Sequence, residues 1–256
     1  MAFVFCLVPV APMRKEAAHR SEMVSQLLFG EIAELISEEK DFTQIRCLHD
    51  GYEGWCQTSQ LLAIDAAAAV KNNGMLADEW SSKIDLNGQS MQIPLASSLG
   101  LLEKGELQLG DYHISYQGKL ADPGSNTCTA DAIAARAMRY LNTAYLWGGR
   151  SVFGIDCSGF VQQVFRFFQI ALPRDAYQQA AVGEPVGFLQ ETKCGDLAFF
   201  DNEEGKITHV GLLLTPDTII HSSGKVRIDQ IDNMGILNSD TGQRTHRLRM
   251  IKSYWQ

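Results

Sequence analysis

The sequence predicts an α+β chain in which a C-terminal mixed domain follows small all-β units. Three observations point there. As far as about residue 121, short apolar runs alternate with turn signals; the Pro/Gly/Ser/Asn-rich stretch 121–126 then breaks the pattern; beyond it, helical periodicities precede a series of strands.

The run from Ala2 to Val10 is apolar enough for the core of a secretory signal. A signal places its positive charge before that core, whereas Arg14 and Lys15 follow it and Pro9 and Pro12 interrupt the segment. The reading is an opening strand and loop. Leu27–Phe29 and Ile32–Ile36 are further apolar runs, and Phe42–Leu48 alternates in the manner of a half-buried strand. His49-Asp50-Gly51 is a hairpin signal, after which Gly54-Trp55-Cys56 begins another strand. Several strands this short predict a small barrel over residues 1–65. The alanine-rich stretch 63–70 is a helical turn or linker, and Asn72-Asn73-Gly74, Asn87-Gly88 and Lys104-Gly105 punctuate a second small β unit over 66–122.

Residues 123–256 form the third unit. Thr129 caps a helix with Asp131 in its first turn and Ile133, Ala137, Tyr140 and Leu141 on one face. The glycine-rich loop 147–154 leads into Asp156-Cys157-Ser158-Gly159, and Phe160, Val161, Val164, Phe165 and Phe168 then recur at amphipathic helical spacing. Strands are expected at 196–200, 209–214, 218–221 and 226–231.

A chain of 256 residues with 45% apolar and 20% charged residues has an ordinary globular composition and can bury a sizeable core. Its formal charge of −8 argues against nucleic acid as the main partner, because such binding leans on clustered Lys and Arg. No apolar stretch approaches the ~20 residues of a membrane span. The expected location is cytoplasmic, or exported if an upstream signal was removed. The six cysteines show no CxxC spacing, so neither zinc nor another cofactor is expected. Five of them read as buried free thiols of a reducing compartment.

Cys157 is the exception. At the point where a loop becomes a helix, unpaired N–H groups and the helix dipole favour a thiolate and can hold an oxyanion. By position alone it is equally a small buried helix-cap thiol. His209 and His221 tip the balance: they lie symmetrically about Thr215, Thr215-Pro216-Asp217 is a plausible turn, and a hairpin closing there sets them within one residue of direct opposition. Nucleophile, base and base-orienting group is what thiol catalysis needs.

The stretch YLWGGRSVFGIDCSGFVQQVF (145–165) resembles the nucleophile motif of NlpC-type bacterial cell-wall peptidases, and LPRDAYQQ (172–179), GDLAFF (195–200) and THVGLLL (208–214) are similar to that family's succeeding blocks, in its order. The resemblance covers most of residues 125–256. It implies a papain-like domain that hydrolyses peptidoglycan stem peptides, with Cys157 as nucleophile, His209 as base and His221 as third catalytic residue. Tyr145 looks like the tyrosine that flanks the nucleophile and assists the oxyanion, and Asp156 and Ser158 look like substrate neighbours. Many members have Ser or Thr at the position of Ala176, so one polar substrate contact is either absent here or supplied by Asp175. Physically, a buried Asp156 carboxylate wants a cation, which a substrate ammonium provides; it is also placed to cap the Cys157 helix.

The N-terminal region is similar to the bacterial SH3-like barrels of a subgroup that cleaves γ-D-glutamyl–L-diamino-acid bonds, through SEMVSQLLFGE (21–31) and DGYEGW (50–55). In that subgroup the first barrel restricts the cleft to murein peptides with a free N-terminal L-alanine. Tyr52 matches its cleft-capping tyrosine. Glu22 is the candidate carboxylate for the substrate amine, or else a solvated strand-edge glutamate. The implied function is hydrolysis of the bond between γ-D-Glu and L-Lys or meso-diaminopimelate in murein peptide recycling. Its rivals are a secreted hydrolase of polymeric wall and a wall-peptide-binding module without catalysis.

Overall fold

The computed structural model describes residues 2–255. Two compact units emerge, Met1–Asn126 with Trp147–Phe153, and Thr127–Leu146 with Gly154–Gln256.

The first unit is nearly all β. Strands β1 (Phe3–Cys6), β2 (Val10–Arg14), β3 (Met23–Leu28), β4 (Ile32–Glu39), β5 (Phe42–Cys47), β6 (Glu53–Gln57) and β7 (Leu61–Ile64) form one sheet in the order β3-β2-β6-β5-β4-β1-β7. The turn between β5 and β6 closes with Gly51 N–H on the Cys47 carbonyl (2.9 Å) and Gly51 at φ +71°, which a glycine adopts without strain. A short helix α1 (Ala66–Val70) follows. Then come β8 (Leu76–Ala77), β9 (Ser81–Leu86), β10 (Gln89–Pro94), β11 (Glu106–Leu109), β12 (Tyr112–Tyr116) and β13 (Leu120–Ala121). Four of these pair in the order β10-β9-β12-β11, and β13 pairs with β8. The apolar opening run is explained by β1, which is buried on both faces. Val4 and Cys6 enter a core with Met13, Leu27 and Ile45, while Phe5 points into another with Phe29, Ile84, Ile93 and Ile114. That second core joins residues of the first sheet to those of the four-stranded sheet.

Strand β14 (Arg150–Ser151) also belongs to the first unit. Arg150 is fully buried there: its guanidinium donates to the Gln26 carbonyl (2.7 Å) and to both carboxylate oxygens of Glu31 (3.0 and 3.2 Å).

In the second unit α2 (Ala130–Met138) starts where expected, with the Thr129 hydroxyl accepting the Ala132 N–H at 3.2 Å. After β15 (Gly154–Ile155) come α3 (Cys157–Arg166), α4 (Ala176–Ala180) and β16 (Glu184–Val186). Six strands complete the unit: β17 (Leu197–Asp201), β18 (Ile207–Thr215), β19 (Thr218–Ser223), β20 (Lys225–Asp232), β21 (Gly235–Leu237) and β22 (Arg244–Ser253). They pair in sequence order, and β22 pairs with both β17 and β21, so the ladder closes on itself. One face carries the core of Ala198, Phe200, Leu213, Ile219, Ile231 and Ile236. The residues alternating with these, among them Phe199, Val210, Leu212 and Ile220, are buried too, and α3 packs against β18 and β19.

Candidate active site

Cys157 is the first residue of α3 and is buried. The turn that places it is held by Asp156, whose carboxylate accepts the Gly159 N–H at 2.7 Å and so satisfies one of the helix's open donors. Asp156 is therefore the helix cap, and its cation is within the chain. The Arg174 guanidinium grips it with two hydrogen bonds, of 2.6 and 3.1 Å, and donates a third at 2.9 Å to the Ser158 hydroxyl. All three side chains are buried. This corrects the argument that burial of Asp156 calls for a substrate ammonium, since Arg174 compensates that charge. Ser158 is tied into the same network, its carbonyl accepting from Gln179 Nε2 at 3.1 Å. Asp175 caps α4, with its own N–H donating to Gln178 Oε1 at 3.2 Å.

The histidines meet, though not by the expected register. A bulge between Leu213 and Thr215 sets His221 opposite Gly211, two residues from His209. Two residues along a strand keep the same face, so the rings approach diagonally. Gly211 is what lets them: a Cβ there would lie 2.9 Å from that of His221 and 2.6 Å from Ile219 Cδ1. His209 Nε2 and His221 Nδ1 are 2.9 Å apart, with the rings at 85°.

Three participants were not recognised from the sequence. Asp229, on β20, is buried with Oδ2 3.0 Å from His221 Nε2, and Arg227 holds the same carboxylate at 2.8 and 2.9 Å. Arg174 is the second residue of this kind. The third is His246 on β22, whose ring stacks on His209 with centroids 4.2 Å apart. Tyr145, Thr208, His209, Ser223 and His246 border a cavity of about 320 Å³. Glu22 and Tyr52 lie in the first unit. Glu22 accepts the indole N–H of Trp147 at 2.9 Å, and Tyr52 packs, half-buried, against the core around Met13 and Ile45.

The electrostatics of the resting site are those of a neutral pair. Burial pushes the Cys157 thiol up to about 12, with the Asp156 charge adding to it. The backbone at Val210 and Ser158 and the Arg174 charge act in the opposite direction and are outweighed. The helix terminus thus favours a thiolate as expected, but burial leaves the thiol protonated at neutral pH. His209 is held well below the usual histidine value by burial, with His221 and His246 adding to the effect, so its imidazole is neutral and can accept a proton. Burial and the nearby Cys157 and Asp156 raise Tyr145 to about 12, which keeps its hydroxyl a donor. Among the described residues no group of His, Cys, Asp and Glu is arranged to hold a metal ion. No helix among them is long and apolar enough to cross a membrane.

A protonated thiol at a helix N-terminus, a neutral His209 hydrogen-bonded to a second histidine and a buried carboxylate behind that are the groups nucleophilic acyl transfer uses. Comparison with known proteins agrees with that chemistry. The model of the NlpC/P60 family matches residues 142–245, and that of the bacterial dipeptidyl-peptidase Sh3 domain matches residues 13–61. The γ-D-glutamyl-L-lysine dipeptidyl-peptidase of Bacillus subtilis (strain 168) is 31% identical over 220 residues, 77% of this chain and 71% of that protein. Its namesake in Bacillus cereus (strain ATCC 10987) is 31% identical over 260 residues, 88% of this chain and 76% of that one. A crystal structure of an NlpC/P60 family protein from Bacillus cereus ATCC 10987 shares the fold at TM-score 0.83 and 20% identity, over 98% of this chain and 99% of that one. The chain belongs to the NlpC/P60 family of cysteine peptidases, and it carries an N-terminal SH3-like module ahead of its NlpC/P60 domain.

Proposed function

We propose that this chain hydrolyses the γ-D-glutamyl–L-diamino-acid bond of murein stem peptides with a free N-terminal L-alanine, in wall-peptide recycling. The observation that carries the reading is the 2.9 Å contact between His209 Nε2 and His221 Nδ1, with Cys157 buried at the start of α3, which packs against the two strands that carry the histidines. Two relatives named for γ-D-glutamyl-L-lysine dipeptidyl-peptidase activity support the substrate class. On this reading the second unit is a papain-like domain, and residues 66–122 are a second SH3-like module.

In the reaction the Cys157 sulfur attacks the γ-carbonyl carbon as its proton passes to His209. The tetrahedral oxyanion is met by backbone N–H groups at the start of α3 and by the Tyr145 hydroxyl. His209 returns the proton to the leaving α-amine of the diamino acid, the C–N bond breaks, and a thioester remains. Water, deprotonated by His209, then releases L-Ala-γ-D-Glu and the thiol. Asp156, Ser158 and Asp175 are proposed substrate neighbours, with Arg174 fixing the first two. Tyr52 and Glu22 are proposed as further substrate contacts on the strength of the sequence likeness alone.

The test is kcat/KM on L-Ala-γ-D-Glu-L-Lys and on its N-acetylated form, with Cys157→Ala as the blank. The free peptide should be cleaved, the blank should be inactive, and acetylation, which removes the ammonium charge and adds bulk, should lower kcat/KM. Equal rates on the two peptides, or cleavage by Cys157→Ala above roughly a tenth of the wild-type kcat, would overturn the reading.

A further inference from the structure

Asp229 faces Ile219 across the β19–β20 ladder, and Arg227, two residues earlier on the same face, is opposite His221. The register therefore puts His209, His221 and Asp229 on one face of three adjacent strands, each diagonal to the next. Four contacts reach the Asp229 carboxylate. Oδ2 lies 3.0 Å from His221 Nε2 and accepts from Arg227 Nε at 2.8 Å; Oδ1 accepts from Arg227 Nη2 at 2.9 Å and from the Ser239 N–H at 2.8 Å. Three of the four partners can only donate, and two of those belong to a guanidinium, so the group is an ionised acceptor.

We propose that Asp229 is a positioning residue for the peptidase reaction: it fixes the ring tautomers of His221 and His209 so that Nδ1 of His209 bears the lone pair that takes the thiol proton. This rests on the proposed roles of Cys157 and His209, and follows by elimination along the chain. An ionised carboxylate at His221 Nε2 requires a proton on that nitrogen. A neutral His221 then has its lone pair at Nδ1, so the contact with His209 Nε2 needs the proton on His209. His209 is left with a bare Nδ1. With the relay reversed, Nδ1 of His209 would carry a hydrogen and could not accept the thiol proton. Once His209 is protonated, the Asp229 charge stabilises the imidazolium through the same chain of hydrogen bonds, and Asp229 itself stays ionised.

Asp229→Asn is nearly isosteric and tests the direction of the relay. With the amide oxygen in the place of Oδ1 it keeps two donors, Arg227 Nη2 and the Ser239 N–H; the NH₂ then takes the place of Oδ2, loses the Arg227 Nε–H bond and meets His221 Nε2, moving that ring's proton to Nδ1. The readout is long-range ¹H–¹⁵N correlation spectroscopy of the histidine rings, assigned by His209→Gln and His221→Gln, together with steady-state kinetics on L-Ala-γ-D-Glu-L-Lys. Wild type should show protonated Nε2 and bare Nδ1 on both rings. Asp229→Asn should show the reverse, with kcat lowered by roughly 10²–10⁴-fold and KM within about threefold, the split a purely structural loss would not produce. A wild-type His209 protonated at Nδ1 would overturn the proposal even if the variant failed to fold, and so would a folded Asp229→Asn with wild-type kcat. The spectra need no substrate. A wild type that leaves the tripeptide uncut would therefore count against the proposed substrate, while the ring tautomers still decide the role of Asp229.

Discussion

Replacing Arg174 with methionine removes the cation that compensates Asp156 and keeps most of the buried side-chain volume. The Arg174 side chain is 1% exposed and that of Asp156 9%, so the stranded carboxylate would not be rescued by bulk water. Breaking a buried pair by removing one partner costs about 3–5 kcal/mol. Asp156 would keep the Gly159 N–H at 2.7 Å and the Ser158 hydroxyl at 3.3 Å. Each is worth about 1 kcal/mol, which places the expected loss near the lower end, ~3 kcal/mol at pH 7.5. The loss must also depend on pH. A neutral carboxyl group carries no charge for the interior to penalise, so the variant's deficit should be smaller at acid pH. Native-state amide exchange in α3, measured at pH 7.5 and pH 5 for wild type, Arg174→Met, Asp156→Asn and the double variant, reads the local stability directly. The double variant should recover about 2 kcal/mol relative to the sum of the singles. A deficit under about 1 kcal/mol at pH 7.5, or one equal at both pH values, would refute the ion-pair account.

Two further outcomes follow from the site. His209→Ala should lower kcat by roughly 10²–10⁴-fold and His221→Ala by less, because one takes part in proton transfer and the other acts through it; near-wild-type rates for both would remove them from the mechanism. Burial, with His221 adding to it and Asp229 opposing it, pushes His246 down to about 4 in the folded protein, against about 6.5 when unfolded. Its neutral form therefore contributes stability at pH 7.5 that is lost as pH falls from about 6.5 towards 4. His246→Phe keeps a ring against His209 and should narrow the difference in melting temperature between pH 7.5 and pH 5; an unchanged difference would show that folding does not shift the titration of His246.

Local signals were the legible ones. The Thr129 cap, the helix that begins at Cys157 and the turn at residues 49–51 each depend on a few neighbouring residues, and the structure has all three. The two histidines were legible as a pair because a hairpin relates them. Their register was not, since the turn pairs Thr215 with Thr218 instead of centring on Thr215, and the bulge between Leu213 and Thr215 then moves the ladder by one residue, to Gly211 opposite His221, with nothing local in Gly-Leu-Leu-Leu-Thr to mark it. Asp156 was legible as both cap and buried charge. Its partner was not, because Arg174 is 18 residues away and its contact depends on how the chain folds back after α3.

Asp229 and His246 were hidden for a more general reason. Each stands in a strand whose alternation reads as a solvated edge, Lys-Val-Arg-Ile-Asp-Gln-Ile-Asp in one case and Arg-Thr-His-Arg-Leu-Arg in the other. In an open sheet that reading would hold, since polar residues at every second position usually face water. Here the ladder from β17 to β22 closes, so the face that alternation assigns to solvent is partly enclosed. An enclosed carboxylate is tolerable only with strong donors around it, and the Arg227 guanidinium, the Ser239 N–H and the His221 ring supply them. Closure is thus the step that turns two unremarkable strands into the support of the base. It is a property of pairing between β21 and β22, remote from Cys157 in sequence, which is why a motif centred on the nucleophile identifies the reaction class but leaves out the group that orients its histidines.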